Sequence, residues 1–326
     1  MKLLESKAEY LPQENGIEGI YKIIEVAGRT AYNSQDKITP DSAKSFVDRM
    51  IKSKHGACLE HGTVYLYCKS IGLKNNPWFS NNPYSKVVSI QDEIEKGMDN
   101  QPVYHQYITT NYRVIEDLKC PKQLQLLCSS TKFHEKRYTM RFTCSRAIAQ
   151  ELTRHRVFSF LMESQRYINY SKERHGGEIT YIKPSWLNTP TGIVYWHDGI
   201  CWRIQQNENN PMEWFSVKPQ EGFSMEEAQV ASTYFDALSH AEKRYFVLLR
   251  EKCSPQQARD VLPNATKTEL IMTGFASDYR HLLDLRLFGK TGAPHPDMIN
   301  LMQKAQKAMQ EAGIWEDIMS KPSKFD

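Results

Sequence analysis

Residues 154–167 read RHRVFSFLMESQRY, with Arg154, His155 and Arg156 side by side and Ser164, Gln165, Arg166 and Tyr167 close behind. Arginine is the natural partner of a phosphate, because its planar fork donates two hydrogen bonds at once. Ser164 and Arg166 add a hydroxyl and a further fork, enough to cradle one phosphate near a helix end. On a continuous helix, however, Arg154 and Arg156 would project about 200° apart and could not grip one ligand from one face. Either the helix ends there, or the two arginines serve different anionic groups, across a subunit interface. The plain alternative is a solvated basic face with surface ion pairs of little energetic weight.

These residues need elements to hold them. KRYTMRFTC alternates through Tyr138, Met140 and Phe142 and predicts a strand. A helix is expected from about Ser145, with Ile148, Leu152, His155, Ser159 and Met162 on one line, so that polar groups enter a buried seam midway. Upstream, TPDSAKSFVDRMIKSKHG predicts a helix capped by Thr39, started by Pro40 and apolar along Ala43, Phe46, Val47, Met50 and Ile51. TVYLYCK alternates as a strand. Downstream, SMEE is a capping box before the stripe Ala228, Ala231, Phe235 and Leu238. SPQQARDVLP repeats that logic, with Ser254 as cap, Pro255 first and Pro263 as stop. ASDYRHLLDLRLF and DMINLMQKAQKAMQEAG predict two further helices, the second ending at Gly313. Within residues 70–135, GLKNNPWFSNNPYS reads as loop and QPVYHQYITTNYRVIEDL as strand or loop passing into helix. Residues 186–222 read as an insertion over the surface. Strands without regular β–α alternation predict an α+β fold rather than a doubly wound sheet.

Composition narrows the chemistry. A chain of 326 residues, 40% hydrophobic and 25% charged, has the make-up of a soluble globular protein with a sizeable core. A net charge of +4 suits an anionic small ligand, and without a basic tail it disfavours non-specific nucleic-acid binding. No apolar run suits a signal peptide or a membrane span. Seven cysteines without a C-x-x-C pair and ten scattered histidines without H-E-x-x-H support neither a disulfide framework nor a metal site. A reduced, cytoplasmic protein is expected.

The pattern R-H-R, seven residues, S, one residue, R-Y resembles the signature of the flavin-dependent thymidylate synthases, filled here by Arg154, His155, Arg156, Ser164, Arg166 and Tyr167. LEHGTVYL, RTAYNS, ARDVLPNATKTELIMTG and RHLLDLR resemble other segments of that family, in the family's order from about residue 20 to 300. The resemblance implies one α+β domain over residues 1–326, with a small mixed or antiparallel sheet packed by several helices. It also implies a homotetramer sharing active sites, and elaborations at about 70–135 and 186–222. The implied activity makes dTMP from dUMP, with 5,10-methylenetetrahydrofolate as methylene donor and NADPH-reduced FAD as reductant, releasing tetrahydrofolate. It needs no nucleophilic cysteine. It implies Arg286 as the catalytic residue, stabilising charge on the uracil edge. Glu151, Arg154, Ser164, Gln165, Arg166, Arg259 and Arg286 would bind dUMP. Ser34, His61, Thr63, Arg154, His155, Arg156, Phe275, Ser277 and His281 would bind one FAD per site.

Four positions depart from the family pattern. Leu161-Met162 stand where many members carry Asn-Glu, with Glu163 one place later. His281 and Phe275 each stand where members carry an asparagine, so packing or stacking is expected at Phe275. Ser164 is expected to bind rather than attack, since no base is placed to activate it. A competing function, flavin- and folate-dependent uracil methylation within RNA, would need a broad basic surface with stacking aromatics, and the sequence shows neither as a continuous feature. A non-enzymatic nucleic-acid-binding module using the basic helix in a groove would bind with steep salt dependence and carry no chromophore.

Overall fold

The computed structural model describes residues 1–166, 168–172, 177–207, 210 and 213–325. Tyr167 of the signature lies outside the described residues. At the centre is a four-stranded antiparallel sheet in the order β2 (Lys7–Tyr10), β6 (Arg137–Ser145), β12 (Lys267–Phe275), β7 (Ser159–Met162). Along β6 and β12, Phe275 pairs with Arg137 and Lys267 with Ser145.

Pleating gives this sheet two unlike faces. Met140, Phe142, Leu270 and Met272 point to one side and pack with Ile148 and Leu152 of α5 (Arg146–Leu152), Tyr279 and Leu282 of α8 (Ala276–Arg286) and Leu301 of α9 (Pro296–Glu311). Each such side chain contributes about 1.5–3 kcal/mol by leaving water. The other side carries Thr139, Thr273, Glu269 and Lys267. The α1 helix (Gly16–Ala31) packs against β12 and β7.

Two further sheets flank the centre. The first, in the order β3 (Thr63–Ile71), β5 (Pro102–Asn111), β4 (Lys86–Lys96), is antiparallel. Its Leu66 and Ile108 share a core with Ile24 of α1, Phe46 and Val47 of α2 (Ser42–Lys52), Leu59 of α3 (Gly56–Leu59) and Val114 of α4 (Tyr112–Asp117). The second, in the order β11 (Trp214–Ser216), β10 (Cys201–Gln205), β9 (Gly192–His197), β1 (Lys2–Leu4), β8 (Thr180–Ile182), is mixed, because β1 and β8 run parallel. It packs on Phe235 and Leu238 of α6 (Met225–Arg250), which opens with the expected Ser224–Glu227 capping box. The short α7 (Pro255–Ala258) and α10 (Trp315–Met319) complete the helices among the described residues. None is long and apolar enough to cross a membrane.

The α+β class holds, with three small sheets where one was expected. The 186–222 segment does not merely lie over the surface: Val194, Trp202, Ile204 and Val217 are core residues. The cap of α2 is Asp41, so Thr39 and Pro40 precede the helix. The largest correction concerns the signature. Its helix stops at Leu152, and Ser159–Met162 is a strand. The run Val157 to Met162 is rich in β-branched and aromatic side chains, and β12 offers it an open edge, which outweighs the helical spacing.

Candidate active site

Because α5 ends early, Arg154, His155 and Arg156 lie on a turn, with the His155 amide donating to the Leu152 carbonyl and the Phe158 amide to that of His155. The 200° separation therefore never arises. Arg154 and Arg156 are exposed, and their guanidinium groups have no hydrogen-bond or ion-pair partner among the described residues.

His155 turns inward instead. Arg286, the last residue of α8, donates from Nε to His155 Nε2 (3.1 Å) and from a terminal nitrogen to Glu151 Oε2 (3.1 Å). Accepting that bond requires a neutral imidazole. Burial, with the cation of Arg286 and His281 nearby, holds the ring at about 4, well below its ordinary value. Glu151, His155, His281 and Arg286 thus form one cluster between α5 and α8.

A second cluster lies at the Phe275 end of β12. His61 is fully buried, its Nδ1 2.8 Å from Thr273 Oγ1, which in turn meets Thr139 Oγ1 at 2.8 Å. The next residue has to be small: a Cβ at Gly62 would come within 2.7 Å of Ile20 and Ile24, so glycine lets α1 sit directly on the turn that carries His61. Thr63 accepts from Arg137 (3.4 Å), whose other donor reaches the Glu60 carbonyl (3.2 Å). Arg137 also lies over the Phe275 ring, 5.6 Å from its centroid. Ser277 accepts from Lys86 (2.7 Å).

A third cluster lies at the Lys267 end. The Ser164 amide donates to the Ala31 carbonyl, which brings Ser164 beside the end of α1 and Ser34. Gln165 is buried near Tyr170. Arg166 donates to Gln256 (3.1 Å), just ahead of Arg259. Arg259 has only a loose 4.0 Å contact with exposed Asp260, so an ion pair does not account for it.

Three cations were missed by motif reading. Arg146, at the start of α5, has a buried terminal nitrogen without a partner among the described residues. Burial lowers its pKa, and neighbouring Arg259 adds repulsion that Glu163 partly offsets. Arg137 and Lys267 are the others. A lone arginine on a strand or helix start carries no spacing to flag it.

The Leu161-Met162-Glu163 departure also finds an answer. Met162 packs into the α5–α8–α9 core and Leu161 into the α1–α2 core. Glu163 continues the ladder, its amide donating to the Glu269 carbonyl, and bonds Lys267 (3.1 Å). A carboxylate at 163 therefore faces the side opposite one at 162 and does not substitute for it.

The second and third clusters lie at opposite ends of nine-residue β12, a strand about 25 Å long at its usual rise. One chain does not gather all the expected site residues into a single pocket. Among the described residues, no group of three or more His, Cys, Asp or Glu is placed to hold a metal. Burial pushes the thiols of Cys58 and Cys144 up to about 11 and about 12, so neither offers a thiolate.

The profile of the family described as thymidylate synthase complementing protein matches residues 123–312, more than half of the chain. The protein belongs to that family. A flavin-dependent thymidylate synthase of Corynebacterium aurimucosum is 22% identical over 295 residues, covering 88% of this chain and 78% of the relative. One from Corynebacterium efficiens is 30% identical over 143 residues, 44% of this chain and 46% of the relative. Among solved structures, the UMP/dUMP methylase PolB of Streptomyces cacaoi, bound with 5-Br dUMP, aligns with a TM-score of 0.43 at 14% identity, covering 98% of this chain and 97% of its own.

The residues present fit a flavin. His61 Nε2 and His281 Nδ1 are buried nitrogens without partners among the described residues, and leaving such an atom unmatched costs about 1–3 kcal/mol. A heterocycle edged with donors and acceptors is the kind of group that satisfies such a nitrogen. His61 also makes a prediction for this thymidylate synthase complementing family member. Burial, then Arg137, pulls its pKa from 6.5 to about 3. The unfolded chain takes up this proton near pH 6.5 and the folded one does not. The stability tied to the neutral ring is therefore intact above pH 6.5 and lost as pH falls toward about 3. Urea denaturation should show the His61→Gln variant losing less stability than the parent between pH 6.5 and 4, by up to about 1.4 kcal/mol per pH unit. Equal slopes would mean that His61 is already charged or solvated.

Proposed function

We propose that the protein makes dTMP from dUMP, taking the methylene group from 5,10-methylenetetrahydrofolate and binding FAD that NADPH reduces. The reading rests above all on the meeting of Arg286 with Glu151 and neutral His155, which joins the signature segment to the closing motif across more than 130 residues. When bound, the flavin supplies the reducing equivalents.

The chain's own residues do the rest by position and charge. As uracil C5 becomes nucleophilic, negative charge builds on the N3–O4 edge, and Arg286 is the donor aimed at it. Glu151 orients Arg286, and neutral His155 accepts from it without competing charge. Ser164, Gln165, Arg166 and Arg259, joined by Arg146, hold the nucleotide's sugar and phosphate. Ser34, His61, Thr63, Phe275, Ser277 and His281 flank the flavin. Arg154 and Arg156, exposed and unpartnered within the described residues, reach ligands shared with other copies. The separation along β12 supports the same assembly, a homotetramer in which each site draws on several chains.

The test is direct. Purified protein should bind added FAD. Supplied with dUMP, 5,10-methylenetetrahydrofolate and NADPH, it should release dTMP and tetrahydrofolate with NADPH consumed in step. Failure to bind FAD, or dTMP formed without NADPH consumption, would overturn the reading.

A further inference from the structure

Lys86 opens β4, in the part of the chain that the family segments do not cover, yet its side chain reaches the start of α8. Its ammonium donates to Ser277 Oγ (2.7 Å) and lies 4.4 Å from the centroid of the Phe275 ring. Arg137 also lies over that ring, so two cations share one phenyl group. Their charge is poorly matched. Arg137 is buried on a carbonyl and a hydroxyl, with no carboxylate bonded to it among the described residues. Among the described residues, the carboxylate paired with Lys86 is that of Glu135, at 3.9 Å and shared with Lys321 at 3.8 Å. Asp278 is the other acid nearby, and its Oδ2 accepts from the Phe275 amide. Lys86 is about one-third exposed, so a ligand can reach it. A ring stacked by cations and a hydroxyl held by one make a site short of negative charge.

We propose that Lys86 is a cofactor-binding residue that holds the diphosphate of FAD, supplied to the site by the β3–β5–β4 sheet. This rests on the reading that Phe275 and Ser277 flank the flavin. Phe275 offers that cofactor no hydrogen bond, and Lys86 restores a polar contact from a different strand. The diphosphate carries the formal negative charge of FAD, and a charge-assisted bond to it is the interaction an ammonium makes best.

The test is flavin titration of the full-length protein by fluorescence, with the parent, Lys86→Met and Lys86→Arg. Lys86→Met should weaken FAD about 10- to 100-fold, the worth of one charge-assisted bond. Riboflavin, which lacks phosphate, should bind both equally. Lys86→Arg should recover most of the FAD affinity, and added salt should weaken the parent more than Lys86→Met. Unchanged FAD affinity in Lys86→Met, or equal losses for riboflavin and FAD, would overturn the proposal. A parent that binds no flavin would instead overturn the reading beneath it. Thermal melting identifies a folding defect, in which case Lys86→Arg against Lys86→Gln decides by the same titration.

Discussion

Arg286→Ala should lower kcat by at least a hundred- to a thousand-fold while leaving flavin bound and the fold intact. Removing one preorganised donor from a site where charge develops costs about 3–4 kcal/mol in the transition state, and here the donor is also a cation. The structural cost is far smaller. Arg286 and Glu151 are both partly exposed, and such pairs contribute about 0–1 kcal/mol. His155 loses a donor but stays neutral, since burial is the first cause of its lowered pKa. Steady-state kinetics, flavin absorbance and thermal melting together make the check. A Tm that collapses, or flavin lost at unchanged concentration, would make Arg286 a structural residue.

Lys267→Met should cost about 3 kcal/mol of stability and distort the segment carrying Ser164. Lys267 is mostly buried and bonds two acids, Glu163 (3.1 Å) and Glu269 (2.9 Å). Burial alone would favour neutral lysine, but the two carboxylates outweigh it and raise its pKa. Removing the cation leaves Glu163 buried without its partner, the arrangement that destabilises most. Burial already raises the Glu163 pKa, and Lys267 is the main influence pulling it down. Without Lys267 the folded state holds the Glu163 proton more tightly than the unfolded chain does. The deficit should therefore shrink as pH falls from about 7 toward 5, because protonation relieves the buried charge. Urea denaturation across that range makes the comparison, and Lys267→Met/Glu163→Gln should recover most of the loss. A deficit independent of pH would mean that Glu163 is solvated.

Sequence patterns were legible wherever one element buries a regular stripe. The apolar face of α2, the Ser224–Glu227 box of α6 and the strand β6 are all where spacing places them. They failed where tertiary partners decide. Ile148 and Leu152 continue with helical spacing through His155, Ser159 and Met162, and only the open edge of β12 makes the last four residues a strand. The mostly exposed β4 shows no alternation to read, although its first residue reaches the site. In the 186–222 segment, turn residues mask strands whose Trp202 and Ile204 are buried. The site was legible as motifs, but not as three clusters, because pairings such as Lys86 with Ser277 span 191 positions.

The pleat that sends Met162 and Glu163 to opposite sides of the central sheet also constrains how this chain can change over generations. An acid at 163 is costly to keep once position 267 no longer supplies a base. Losing the base strands the acid at 163, whereas a base left without that acid still has Glu269, so the pair comes apart more easily from the acid's side. An acid at 162 answers to a different set of neighbours, the helices α5, α8 and α9. A shift of one residue along this strand is therefore not a small step between related sequences but a crossing from one set of constraints to another.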